Sequence, residues 1–243
     1  MIIYQDEYIV AINKPAGLLV HASLIDKHET QNALQILRDL LGRAVYPVHR
    51  LDKPTSGVLL FGLSSDSAKK LSEAFMTREI EKKYLGLVRG FTEEIGVINH
   101  PLKDLWDKMT DKKKSKLQEA REAITEYRLL EKVEIDVPVR PHPTSRYSLL
   151  EIMPLTGRNR QIRRHMKHIF HHMIGDHQHG DGFHNRMLSE KYGLNRLMLH
   201  AKELTFAHPA GGDKMTLKAD LDDDFMSLLF KLGFKTIGHC KET

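Results

Sequence analysis

Short apolar runs, alternating or unbroken, divide this chain from its first residues. Ile2 to Tyr4, Tyr8 to Asn13, Leu18 to His21, Val58 to Leu63, Lys83 to Arg89, Ile124 to Leu130, Ser148 to Met153, Glu203 to Ala207 and Met215 to Lys218 each predict a strand. Apolar positions recurring every three or four residues predict helices over Gln31 to Leu41, Asp66 to Met76, Arg160 to Phe170 and Leu221 to Leu232. Ser65 is placed to cap the second of these. Asp222 to Asp224 fall in the first turn of the last, where carboxylates meet the positive end of the helix dipole. Strands and helices interleave without a regular βαβ rhythm. The expected fold class is therefore α+β, a mixed, largely antiparallel sheet with flanking helices, and not a doubly wound parallel sheet.

With 243 residues, 41% of them hydrophobic, the chain can bury a substantial core, and a single domain spanning 1–243 is expected. Lys103 to Glu122 interrupts it: seven basic and five acidic residues, including Lys112-Lys113-Lys114, with few apolar ones, predict a charged insertion. No segment has the length and apolarity of a membrane span, and the start, Met-Ile-Ile-Tyr-Gln-Asp-Glu, has no signal-peptide pattern. A soluble cytoplasmic protein is the expectation. One cysteine, Cys240, leaves neither an intramolecular disulfide framework nor a thiolate zinc site. The net charge of +5 is modest, so the placement of the cations matters more than their number. Arg158, Arg160, Arg163, Arg164 and Lys167 fall within eleven residues that contain no carboxylate. A charged run usually marks a solvated face, but one without compensating acids favours phosphate.

The most specific string is His49-Arg-Leu-Asp-Lys-Pro-Thr-Ser-Gly57. It sets the carboxylate of Asp52 between Arg50 and Lys53, in a loop constrained by Pro54 and followed by the apolar run Val58-Leu59-Leu60-Phe61. An aspartate in such a setting commonly accepts from its own downstream backbone and does nothing more.

This string resembles the aspartate loop of the RluA-type pseudouridine synthases, and two further strings resemble that family in the same order. Glu81-Lys-Lys-Tyr-Leu-Gly-Leu-Val-Arg-Gly90 is similar to its tyrosine-bearing strand, and Leu155-Thr-Gly-Arg-Asn-Arg-Gln-Ile-Arg-Arg-His165 to its arginine string. The similarity runs from Asn13-Lys-Pro-Ala-Gly17 to Arg196-Leu-Met-Leu-His-Ala201 and beyond. Two positions depart from the pattern: Arg160 stands where the family usually has His, and His171-His172 where it usually has His-Pro.

The resemblance implies the α+β pseudouridine synthase fold with a cleft across the sheet, no cofactor and no metal. It assigns Asp52 as the reactive carboxylate, by attack on the anomeric carbon or by assisting loss of a sugar proton, with Arg163 as its buried partner. Tyr84 would stack on the target base, with a proposed part in removing its last proton, and Ile162 would pack on the other side. Arg50 would fill the space left by the flipped nucleotide, while Arg158, Arg160, Arg164 and Lys167 would meet phosphate. His49 and Lys53 would support the loop; Thr55, Ser56 and Gly57 would shape its turn. The implied partner is structured RNA. tRNA at uridine 65 comes first, on the run from His49 to Ser67 and the segments Pro143 to Tyr147 and Gly175 to Asp181. Ribosomal RNA is the alternative, and a monomer is expected. The first family string already sits at Asn13, leaving no room for the small N-terminal RNA-binding domain of some relatives.

Other classes compete. Seven histidines lie from His165 to His184, with Asp176 and Asp181 among them; His165, His168 and His172 have helical spacing, which raises a metal site, although no recognised ligand string is present. A non-catalytic RNA-binding protein would use the same basic helix but has no need of Asp52, Tyr84 and Arg163 together. Ser56 lacks a nucleophile elbow, and no hydrolase triad can be assigned.

Overall fold

The computed structural model describes residues 1–21, 31–103 and 119–235. The charged insertion, apart from its ends, and Cys240 lie outside the described residues. In chain order the strands are β1 (Ile2–Gln5), β2 (Ile9–Lys14), β3 (Tyr46–Pro47), β4 (Ser56–Gly62), β5 (Glu81–Arg89), β6 (Ile95–Asn99), β7 (Ile124–Ile135), β8 (Ser145–Pro154), β9 (Leu199–Ala207) and β10 (Lys214–Lys218). The helices are α1 (Ala33–Leu41), α2 (Ser65–Met76), α3 (Gln161–His168), α4 (Gly182–Tyr192) and α5 (Asp223–Leu232). One sheet runs β1-β2-β4-β9-β5-β8-β7-β6, with β10 beside β9 and β3 beside β4. Its pairings are antiparallel except for the short parallel contact of β4 with β9, so the expected mixed, largely antiparallel sheet is what forms.

β4 is buried along its whole length, which accounts for its unbroken apolar sequence. α1 closes one apolar cluster over β2 and β4 through Ala33 and Leu37. α3 closes another over β5, β7 and β8 through Ile162 and Met166. Tyr84 packs against both clusters, at the seam between them. Leu71 of α2 and Phe225, Leu228 and Leu229 of α5 fill the two remaining clusters. No helix among the described residues is long and apolar enough to cross a membrane.

Several expected boundaries moved. Leu18 to His21 makes only an isolated bridge, Leu19 to Asn32, and Asn32 caps α1 by accepting from the Gln35 N–H. Ser64 caps α2, one residue before the serine expected. β6 and α4 were not anticipated: β6 is an edge strand with Ile95 and Val97 exposed, and α4 buries only His184 and Leu188.

Candidate active site

The turn carrying Asp52 is closed by backbone: the Thr55 N–H donates to the Asp52 carbonyl at 3.0 Å. The carboxylate is thus released from the local role that such aspartates usually take. It accepts instead from Arg163 Nη1 at 2.9 Å, across 111 positions of sequence. Gly57, at φ +112°, lets β4 pass so close to β9 that a Cβ there would run into the Ala201 carbonyl. His49 holds the other flank, accepting the Leu60 N–H on Nε2 at 3.0 Å and stacking on Phe75. Burial, then the charge of Lys82, pushes its pKa down to about 3, so the ring is a neutral acceptor.

Beneath the turn lies Lys14, fully buried at the end of β2. Its Nζ donates to the carbonyls of Pro15, Leu18 and Lys53 at 2.8, 2.8 and 3.1 Å, tying the residue after Asp52 to the Asn13-Lys-Pro-Ala-Gly17 loop. Burial and then Arg196 lower its pKa to about 7, against the opposing pull of Asp52.

α3 aims Arg163 by having two buried polar residues on the opposite side of the helix. Gln161 donates to the Ile124 carbonyl and Thr125 Oγ1, and its Oε1 accepts the Arg158 N–H and the Thr156 hydroxyl. His165 Nδ1 meets Thr125 Oγ1, and its Nε2 donates to the His100 carbonyl. Gln161 and His165 are one turn apart; Arg163, about 200° round from Gln161, points away from β7.

There its guanidinium is shared. Nη1 reaches Asp52, while Nε and Nη2 take Asp176 in a two-point contact at 2.7 and 2.8 Å. Such forked pairing fixes direction as well as charge. Burial opposes the Arg163 charge, but Asp176 and then Asp52 outweigh it, and its pKa is raised. Burial likewise pushes the Asp176 carboxyl up, yet Arg163 and the N–H groups of His179 and Gln178 bring it down to about 2. Gly175, at φ +76°, makes this possible: a side chain there would collide with the Arg196 carbonyl.

Asp52 and Arg163 open onto a cleft of about 790 Å³. Asp52, Tyr84, Arg163, Arg50, Ile162, Arg158 and Arg160 all line it, so seven of the nine expected site residues come together. Arg164, which donates to the Asn159 carbonyl, and Lys167, which is exposed, stand outside it. Arg50 is exposed and has no acidic partner among the described residues. Burial, and secondarily the charge of Asp52, raises the Tyr84 pKa, so its phenol stays protonated beside the apolar face of Ile162.

Sequence reasoning missed Asp176 as a partner, having weighed it only as a metal ligand, and missed Lys14 and the cleft cations Arg78, Lys82 and Arg121. A signal existed for three of them. Lys14 lies in the Asn13-Lys-Pro-Ala-Gly17 string. Asp176 falls in the quoted segment beginning at Gly175, and Lys82 lies two residues before Tyr84 in the quoted strand.

The histidines do not gather. α3 ends at His168 and Phe170 turns the chain at φ +62°, so His172 leaves the expected helical face, while His168 stacks on His100. Among the described residues no three His, Cys, Asp or Glu side chains form a group able to hold a metal ion. Ser56 does meet a histidine, His200 Nδ1 at 2.7 Å, but both are buried and the hydroxyl also accepts from Arg196 at 2.6 Å. Burial lowers the His200 pKa to about 4, and its Nε2 donates to the Ala219 carbonyl, so the pair is a saturated strut between β4 and β9.

Comparison with known proteins agrees with this geometry. A family model described as RNA pseudouridylate synthase matches residues 8–168. The tRNA pseudouridine synthase C of Vibrio cholerae is 49% identical over 96% of this chain and 96% of its own length. That of Haemophilus influenzae is 46% identical over 97% and 99%. Among solved structures, human RNA pseudouridylate synthase domain containing 4 superposes with a TM-score of 0.70 at 29% identity, covering 95% of this chain and 92% of the human one. By matched motifs, full-length similarity and shared architecture, the chain belongs to the RluA-type RNA pseudouridylate synthase family.

Proposed function

We propose that the protein isomerises uridine to pseudouridine in tRNA, at uridine 65, in the cytoplasm and without metal or cofactor. One observation carries the chemical assignment: the Asp52 carboxylate is excluded from its own turn and presented to a basic cleft by a buried arginine. The similarity to tRNA pseudouridine synthase C proteins supports tRNA as the substrate class.

The uracil is drawn out of its stack, at a cost of a few kcal/mol, into the slot between Tyr84 and Ile162. Arg50, exposed at the mouth, takes the space it leaves. Asp52 assists cleavage of the bond from C1′ to N1, by attack on C1′ or by assisting loss of a sugar proton, and the uracil holds the electron pair. The ring turns and C5 bonds to C1′, as the bond from C1′ to Asp52 breaks on the first route or as the sugar proton returns on the second; the proton on C5 then departs and N1 is protonated. Atoms and electrons balance within the nucleotide, so the isomerisation requires no redox partner. We assign Tyr84 the stacking surface, because its burial keeps the phenol neutral.

The test is release of tritium from C5-labelled uridine in tRNA and, separately, in ribosomal RNA transcripts. Wild type should release label from tRNA. Asp52→Asn should lose at least about a thousandfold in rate while its RNA affinity stays within roughly tenfold, because phosphate contacts survive. Ordinary turnover by the variant would remove Asp52 from the chemistry; release from ribosomal RNA alone would move the substrate class.

A further inference from the structure

Among the cleft cations without a carboxylate partner, Lys82 is set apart by its place on the strand that carries Tyr84. Lys82 lines it, half-buried on β5, with no hydrogen bond or ion pair to a carboxylate among the described residues. Its flanking residues are satisfied: Glu81 pairs with Lys214 at 2.9 Å and Lys83 with Glu203 at 3.4 Å, away from the cleft. The charge that does act on Lys82 is repulsive. Arg78 stands nearby, held at φ +65° in the turn before β5 and paired with Glu122 at 2.5 Å. Burial first and Arg78 second lower the Lys82 pKa, and an anion at this place would reverse both effects. His49, on which the charge of Lys82 acts, is neutral and spends its Nε2 on β4. Two cations drawn together in a cleft wall, one of them without a counterion, cost stability unless a ligand supplies the charge.

The position narrows the ligand. Lys82 and Tyr84 both line the cleft and are two residues apart on one strand, about 7 Å along it, which is comparable to the span of one nucleotide. We propose that Lys82, with Arg78 beside it, is the subsite for a backbone phosphate of the RNA adjacent to the nucleotide that enters against Tyr84. The phosphate holds the strand while the base swings in, so the contact acts on binding and not on bond cleavage. This subsite rests on the proposed function, since it needs an RNA strand in the cleft.

The test compares wild type with Lys82→Gln, Lys82→Arg and Lys83→Gln, following tRNA affinity across a range of potassium chloride together with tritium release. Loss of one phosphate contact reduces the steepness of log affinity against log salt by about 0.7 to 0.9. Lys82→Gln should show that reduction, with KM raised roughly tenfold and kcat nearly kept. Lys82→Arg should restore the slope, which excludes general unfolding, and Lys83→Gln should match wild type. An unchanged slope in Lys82→Gln, or an equal change in Lys83→Gln, overturns the phosphate subsite while wild-type turnover leaves the isomerase reading standing. Absence of both binding and turnover in wild type would overturn that reading and the subsite with it.

Discussion

Two arginines flank the Asp52 turn and are nearly equally buried, Arg163 at 4% exposure and Arg196 at 9%, yet they do different work. Arg163 is charge-saturated, gripped by Asp176 on one side and turned toward Asp52 on the other. Arg196 is spread over unlike partners: the Ser56 hydroxyl, the Leu197 carbonyl, the partly exposed Asp222 and the ring of Phe225 at 5.4 Å. Burial takes its pKa down to about 10, with Asp224 offsetting only part of the loss. Burial of an arginine therefore says little about function. What separates the two is where the partner carboxylate opens: Asp52 faces the cleft, whereas Asp222 caps α5 by accepting the Phe225 N–H. One arginine aims the Asp52 carboxylate into the cleft, and the other ties β4 to the last helix.

The sharpest way to break that contrast is at Asp176. Asp176→Asn leaves Arg163 without its rigid counterpart, so Asp52 loses its direction, and a misplacement on the order of 1 Å costs roughly a hundredfold in kcat. KM should change little, and disrupting a buried pair should cost about 3 kcal/mol of stability. A fall in KM affinity with kcat intact would mean that Asp176 shapes binding and not alignment. pH adds a second check. Because the folded pKa is depressed from 3.8 to about 2, the contribution of Asp176 is complete above pH 3.8 and lost as pH falls through about 2. It amounts to about 2 kcal/mol, and the melting temperatures of wild type and variant should converge over that acid range. Arg196→Gln should behave in the opposite manner. Its thermal stability should drop by about 2 kcal/mol, and kcat measured well below the melting temperature should stay within roughly threefold of wild type. A loss in kcat as large as that of Asp176→Asn would erase the distinction between the two arginines.

The same contrast marks how far the sequence could be read. Asp52, Tyr84 and Arg163 were legible because each sits in a short string whose neighbours constrain it. Asp176 was not legible as a partner, because its pairing depends on Gly175 folding tightly over the Arg196 carbonyl, a contact without local pattern. Its seat among histidines suggested metal instead. Fold class and most strands followed from periodicity, since β4 and β5 bury continuous apolar runs. α4 escaped because only two side chains are buried, one of them the polar His184, while Phe183 is exposed, although Asp181 and Gly193 mark its ends as the N-cap and the left-handed C-cap. β6 escaped because two of its three apolar side chains, Ile95 and Val97, are exposed at a sheet edge, which inverts the usual pattern.

The smallest expected effect lies at Arg160, where local preference and charge pull against each other. It occupies the left-handed region at φ +54° as the N-cap of α3, accepts no capping bond, and lines the cleft. Histidine, asparagine and aspartate tolerate that backbone better than arginine does. The family pattern's histidine would therefore suit the turn, and the arginine is retained against conformational preference. Under the proposed function, a cation facing phosphate would account for that choice. Arg160→His should leave stability unchanged or slightly higher, while weakening tRNA binding and reducing the salt slope by about 0.7 to 0.9. At neutral pH an exposed histidine is mostly uncharged, so lowering the pH toward 6 should recover part of the lost affinity. If the slope is unchanged and the variant is only more stable, the Arg160 charge does not meet RNA, and the proposed phosphate contact in the cleft contracts to Lys82, Arg78 and Arg158.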